Sequence, residues 1–197
     1  PLTRMDPIRD AHMKLLARDL LALTVGPSTS TDPVSFSTRG GRPVSRAEAV
    51  GVVVSRDRGD KFLRFLVDDG TGCIPCILWL NHHLLLHHQT GGGPLPPLPR
   101  FLAGRSHSEI EMMGQFAKGH AESAQLGALV RVRGRVTAYR GAVQLTVEGV
   151  AAERDPNAEV LHWLQCVRLA RRCYGMLPPP PAAPTSSIQN KRKAPSV

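Results

Sequence analysis

Residues 50–80 read Val50-Gly-Val-Val-Val-Ser-Arg-Asp-Arg-Gly-Asp-Lys-Phe-Leu-Arg-Phe-Leu-Val-Asp-Asp-Gly-Thr-Gly-Cys-Ile-Pro-Cys-Ile-Leu-Trp-Leu80. This stretch decides the fold. A β-branched run from Ala49 predicts a first strand, and Gly51 inside it predicts a bulge or sharp coil. Arg58-Gly59-Asp60 is a turn, and Lys61–Val67 is a second strand with Leu63, Phe65 and Val67 on one face. Asp68-Asp69-Gly70-Thr71-Gly72 concentrates turn formers. Cys73–Leu80 is a third strand, with Ile74, Cys76, Leu78 and Leu80 alternating inward.

Further along, Ala128–Ala138 and Ala142–Val150 form two more strands split at Arg140-Gly141. Between the third and fourth strands lies an insertion, residues 81–124. Its Gly91–Pro99 part is low-complexity and predicts disorder. Its Glu109–Ala124 part predicts a helix, with Ile110, Met113 and Phe116 on one face. Two hairpins, a helical connection and two further strands are the order of a mainly β, five-stranded OB barrel. An antiparallel sandwich is the competing layout.

Helices flank this unit, residues 49–155. Residues 1–26 predict one N-terminal helix, capped by Asp6-Pro7, carrying Ile8, Ala11, Leu15, Leu16, Leu20 and Leu23, and ended at Gly26-Pro27. Residues 27–48 predict a linker or weak strand near Val34–Ser37. Asp155-Pro156 opens a second helix within 156–176, whose apolar residues cover more than one stripe. Residues 177–197 are Pro-rich and basic, with Lys191-Arg192-Lys193, and predict a disordered tail or linker.

The chain has 25 Lys+Arg against 16 Asp+Glu, a net charge of +9. Five units of that excess fall in 157–197. The total therefore permits a polyanionic partner without locating it. No apolar run reaches the roughly 18–20 residues of a membrane span. Four cysteines make no disulfide framework. Cys73 and Cys76 lack a second close pair, and positions three apart on a strand face opposite sides. The cluster His82, His83, His87 and His88 lacks the general-base Glu of a metalloprotease helix. Neither a metal, a cofactor nor an enzymatic constellation is expected.

The binding residues are sharper. Arg131, Arg133, Arg135, Thr137 and Tyr139 share one face of the fourth strand, and Val130, Val132, Val136 and Ala138 share the other. Arg140 adds a cation. Arginines grip phosphates while an aromatic stacks a base. The alternative is a solvated strand face, and a bulge at Gly134 would split the row. Phe62 beside Arg64, and Trp79 on the non-core side, suit a single-strand groove. Equally, they suit packing under a helix or the insertion.

Three blocks resemble a known family. Gly51-Val-Val-Val-Ser-Arg-Asp-Arg-Gly-Asp-Lys-Phe62 with Val67-Asp-Asp-Gly-Thr-Gly-Cys-Ile-Pro-Cys-Ile-Leu-Trp79 resembles the first three strands of the Stn subunit of the CST telomere complex. Val130–Arg140 resembles its fourth strand. The Asp6-Pro7 helix and the Asp155-Pro156 helix match in position, so the likeness spans roughly residues 5–176. The Asp-Asp-Gly-Thr-Gly block is also similar to the middle subunit of replication protein A.

The resemblance implies an OB barrel with flanking helices that binds single-stranded telomeric DNA. It implies a nuclear location at chromosome telomeres, end protection, and recruitment of DNA polymerase α–primase for fill-in. Trp79 and Tyr139 match the family's DNA-contacting aromatics. Thr137 stands where the family often has a basic residue. Partners would be the small OB Ten subunit, against Val160, Leu161, Leu164, Val167 and Tyr174, and a large Ctc or Cdc-thirteen subunit. The Gly/Pro-rich 91–99 departs from the family's helical connection. Because the family continues into winged-helix modules, a fragment or short form is expected. The second functional reading is an OB scaffold of a replication-protein-A-like complex that binds little DNA itself.

Overall fold

The computed structural model describes residues 11–26, 34–80 and 106–175. In chain order the elements are β1 (Met13–Lys14), α1 (Ala17–Leu21), β2 (Thr24–Val25), β3 (Phe36–Ser37), β4 (Arg46–Arg58), β5 (Phe62–Asp68), β6 (Cys73–Trp79), α2 (His107–Ser123), β7 (Leu129–Tyr139), β8 (Ala142–Ala152) and α3 (Ala158–Arg172). The large sheet runs β1-β4-β5-β6-β8-β7, and β7 pairs back onto β4. That last pairing, from Arg46↔Arg135 to Val52↔Leu129, closes a five-stranded barrel of β4 to β8. Only β6 and β8 run parallel within it, at Cys76↔Leu145 and Ile77↔Thr146. This is the mainly β, OB-type layout that the order of hairpins predicts.

Closure needs two glycines. A Cβ on Gly51 would collide with the backbone of Asp68, and one on Gly134 with the backbone of Thr146. Gly134 does not itself bulge. The pairing of β7 with β8 slips between Arg133↔Gly149 and Gly134↔Val147, so the extra residue is Glu148 on β8. β7 keeps its alternation, with Val130, Val132 and Val136 buried. On β8 the buried set changes phase instead, from Val143, Leu145 and Val147 to Val150. Leu63, Phe65, Val67, Ile74, Cys76 and Leu78 complete the interior.

The predicted N-terminal helix is shorter than its periodicity suggested. Met13 and Lys14 pair in parallel with Ala47 and Glu48, and helix begins only at Ala17. Strand pairing with β4 overrides helical propensity there. Asp6, Pro7 and Ile8 lie outside the described residues, as do His82–His88, Gly91–Pro99 and the 177–197 tail.

The Asp-Asp-Gly-Thr-Gly turn ties the helices to the barrel. Asp68 Oδ1 accepts from the Gly70 N–H at 2.8 Å, and Asp69 Oδ1 accepts from the Thr71 N–H at 2.9 Å. Gly70, at φ 79°, supplies the left-handed residue. Asp69 Oδ2 accepts from the Ala17 N–H at 2.7 Å. It thus caps α1, whose own N-cap residue, Leu16, makes no side-chain cap. From the other side, Trp163 Nε1 donates to the Asp69 carbonyl at 2.9 Å.

α2 begins with a capping box between Ser106 and Glu109. Its buried residues among those described are Ile110, Gly114, Ala117 and Ala121. Phe116, which the sequence pattern places with Ile110, is exposed. Six residues turn a helix by about 600°, which leaves Phe116 roughly 120° away from Ile110.

Candidate nucleic-acid interface

Three elements bring five of the predicted residues together. Phe62 on β5 lies opposite Trp79 on β6, and their rings meet edge to face at 6.1 Å. The Arg64 guanidinium sits 4.5 Å from the Phe62 ring centroid and 5.7 Å from that of Tyr139. Arg140 lies 5.2 Å from the same Tyr139 ring. Trp79 is 41% and Tyr139 48% exposed, so both leave ring surface to solvent. The outer face of the second and third barrel strands, beside the turn before the last strand, is the surface on which OB folds take oligonucleotides.

The turn that presents Tyr139 and Arg140 is unusual. Arg140 has φ 51° and Gly141 φ 81°, the two positive angles of a type I′ hairpin. Such a turn favours Asn or Asp at its first position. A non-glycine residue there with a long side chain carries a backbone cost on the order of 1 kcal/mol.

The arginine row has a different environment. The acids it needs come from neighbouring strands. Glu48 on β4 is only 3% exposed. It accepts from Lys14 Nζ at 2.7 Å, Arg131 Nη1 at 2.7 Å and Arg133 Nε at 2.6 Å. Arg131 Nε also donates to Glu153 at 2.5 Å. Arg135 Nε donates to Glu148 at 2.9 Å, and Arg46 approaches the same carboxylate at 3.8 Å. The bulge on β8 is what turns Glu148 outward toward Arg135. The predicted residues therefore divide into an aromatic-paired set (Phe62, Arg64, Trp79, Tyr139, Arg140) and a carboxylate-paired set (Arg131, Arg133, Arg135).

Burial by itself raises the Glu48 pKa. Hydrogen bonds from Lys14, Arg133 and Arg131, with the Lys14 charge, outweigh it and hold the carboxyl at about 2. His162 from α3 comes within 3.9 Å of Glu48, and burial lowers its pKa. Its Nε2 meets Cys166 Sγ at 3.2 Å. Burial pushes that thiol up to about 12, so the pair is neutral packing between α3 and the barrel. Cys73 is exposed and Cys76 buried, on opposite faces of β6.

α3 is inverted relative to an ordinary surface helix. Ala158, His162, Cys166 and Ala170 face the barrel. The bulky Val160, Leu161 and Leu164 face out, at 59%, 51% and 63% exposure. Val167 is half-buried. Tyr174, also placed on this face by the resemblance, packs instead against the barrel core, with Arg42 at 5.8 Å from its ring. Sequence reasoning did not single out Glu48, Glu148, His162 or the Trp163 latch. The spacing Ala158-His162-Cys166-Ala170, one residue every helical turn, was the available signal for α3's inner face.

No protein-family model matches the chain. Over 167 residues it is 44% identical to the Arabidopsis thaliana protein named CST complex subunit STN1, covering 85% of this chain and 94% of that protein. This chain belongs to the CST complex subunit STN1 family. The Bos taurus STN1 protein is 28% identical over 174 residues, which span 86% of this chain but 44% of that protein. Among solved structures, the S. pombe Stn1–Ten1 complex matches with a TM-score of 0.57 at 18% identity, covering 80% of this chain and 90% of that one. A replication protein A heterotrimer bound to single-stranded DNA matches with a TM-score of 0.54 at 17% identity, covering 81% and 94%. Both are similar to this chain in fold.

Two measurements check this geometry. The folded Glu48 pKa lies below its ordinary value, so its stabilisation is full above about pH 5 and fades as pH falls toward 2. The shift corresponds to about 3 kcal/mol. Glu48→Gln is expected to lower stability at pH 7 by about that amount and to flatten the acid limb of a urea-denaturation pH series. Arg140→Asn is expected to raise unfolding free energy by about 0.5–1 kcal/mol, because Asn suits the I′ turn.

Proposed function

We propose that this STN1-family chain is a non-catalytic OB subunit of a CST complex that binds single-stranded telomeric DNA in the nucleus. In that role it protects chromosome ends and supports complementary-strand fill-in by DNA polymerase α–primase. The observation carrying this reading is the Phe62–Trp79–Arg64–Tyr139–Arg140 cluster on the barrel face where OB folds hold oligonucleotides. Trp79 and Tyr139 are the stacking platforms. Arg64 and Arg140 are the phosphate contacts, because among the described residues rings, not carboxylates, hold their guanidinium groups. Arg131, Arg133 and Arg135 add to DNA contact only secondarily, since their charge is shared with Glu48, Glu153 and Glu148.

The outward apolar face of α3 supports a second component of the same role. Val160, Leu161 and Leu164 form the docking surface for a small OB partner of the Ten type, with Val167 at its edge, and a large Ctc-type subunit completes the assembly. The similar S. pombe structure is a complex of such a pair, Stn1 with Ten1. A scaffold role with weak intrinsic DNA binding is the alternative, favoured by how much of the barrel's positive charge is already neutralised.

Oligonucleotide titration separates these. Trp79→Ala and Tyr139→Ala are each expected to cost about 1–3 kcal/mol of single-strand affinity. Arg140→Asn is expected to weaken binding while stabilising the fold. Two phosphate contacts predict a log–log salt slope of about −1.4. Arg133→Ala leaving DNA affinity nearly unchanged while lowering stability is the expected contrast; a large loss of binding would move the contact onto the arginine row. Wild-type binding too weak to titrate at low salt would favour the scaffold. For the partner face, Leu164→Glu is expected to abolish co-purification with the small OB partner without unfolding the chain. Retention of the complex would place the interface elsewhere.

A further inference from the structure

A groove of about 580 Å³ lies on the side of β7 away from β8 and ends at Ala138, one residue before Tyr139 of the aromatic cluster. Its walls are Val34, Phe36, Pro43 and Val44 from one segment, and Val136 and Ala138 from β7. It is predominantly apolar and open to solvent. Val34, 39% exposed, stands at its mouth.

The groove exists because β7 outruns β4. Their pairing ends at Arg46↔Arg135. One further bond follows, from the Val136 N–H to the Ser45 carbonyl at 2.9 Å. Pro43 then bridges to Ser37 instead of continuing along β7. β7 goes on to Tyr139. In an antiparallel strand the backbone groups of alternate residues point to the same side. Ala138 therefore directs its N–H and C=O the way Val136 does, and among the described residues no strand lies beside it there. The result is a short open strand edge flanked by an apolar trough.

Charge narrows the occupant. Of the residues that line the groove, the charged one is Arg135, and none is acidic. Glu148 reaches the rim from outside, shared by Arg135 and Arg46. A polyanion fits such a rim, but bases need exposed rings to stack on. Phe36, the aromatic of the wall, is 6% exposed and offers none, and the exposed Tyr139 ring stands beyond the end of the groove. An extended polypeptide uses what is present: backbone bonds to the open edge, alternate apolar side chains into the trough, and carboxylates toward the arginines.

We propose that this groove is a docking site for an extended segment of a partner protein in which apolar and acidic residues alternate, added as a short strand beside Ala138.

The probe is a labelled peptide of about ten residues alternating Asp and Val, with a Lys-for-Asp version as control, titrated onto the full chain by fluorescence anisotropy at low salt. Saturable binding of the acidic peptide below about 1 mM, with none of the basic one, is expected. Val34→Glu puts a negative charge at the exposed mouth and is expected to weaken binding at least about tenfold. Ala138→Pro removes only the outward-facing N–H, a place where edge strands tolerate proline, and is expected to do the same. Circular dichroism verifies that both variants fold, and Val34→Glu carries the test if Ala138→Pro does not. Single-strand DNA affinity is expected to be unchanged in Val34→Glu. Absence of acidic-peptide binding overturns the proposal. So does competition between peptide and oligonucleotide, which would make the groove part of the DNA path. Dimerisation of the chain that Val34→Glu abolishes would make a second copy the occupant and overturn it equally.

Discussion

One buried carboxylate organises the closing seam of the barrel. Glu48 sits on β4 where β7 returns to complete the cylinder. Its two oxygens hold Lys14 from β1 and both Arg131 and Arg133 from β7. Arg131 passes the connection on to Glu153, just beyond β8, and His162 brings α3 to the same point. A buried carboxylate costs several kcal/mol of desolvation unless its partners are well placed. Here three cations more than offset it, as the depressed pKa shows. The arrangement also specifies register. A one-residue slip of β4 against β7 would turn the arginines inward and leave Glu48 without them.

The barrel was legible because strands announce themselves by alternation. β5, β6 and β7 as far as Val136 place inward the residues that a period of two assigns inward, whereas Ala138, assigned inward with them, is exposed at the end of β7; the turns flanking these strands carry Gly and Asp. The N-terminal segment was not legible in this way. Leu15, Leu16 and Leu20 satisfy a helical stripe, but Met13 and Lys14 are drawn into a parallel strand by β4, which lies more than thirty residues away in sequence. The environment of the arginine row was hidden for the same reason. No acid occurs between residues 129 and 147, yet Glu48 and Glu153 arrive by strand pairing and by the chain's return. Glu148 arrives by a bulge that no single residue type in β8 advertises.

The Asp-Asp-Gly-Thr-Gly turn shows a middle case. Its composition identified a turn correctly. What composition did not contain is the second use of Asp69, which caps α1 in place of a local cap residue while its carbonyl receives Trp163 from α3. One turn thus fixes both flanking helices against the barrel. The small inner face of α3 and the Trp163 latch together leave Val160, Leu161 and Leu164 uncovered among the described residues. Burying small residues and exposing large ones raises no internal stability, and is expected of a helix whose apolar surface is completed by another subunit.

The contrast between the two sets of arginines explains why the aromatics matter more than their scarcity suggests. A carboxylate partner orients a guanidinium but cancels its charge. An aromatic ring orients it through its quadrupole and leaves the full positive charge available. Arg64, between Phe62 and Tyr139, and Arg140, beside Tyr139, are therefore pre-positioned yet electrostatically uncompensated by those rings. Arg131 and Arg133 hold the barrel closed and are already compensated. The backbone strain at Arg140 fits this division. A turn built for stability alone would carry Asn or Gly at that position, whereas a cation there extends the charged edge of the aromatic cluster at a cost the closed barrel beneath it can bear.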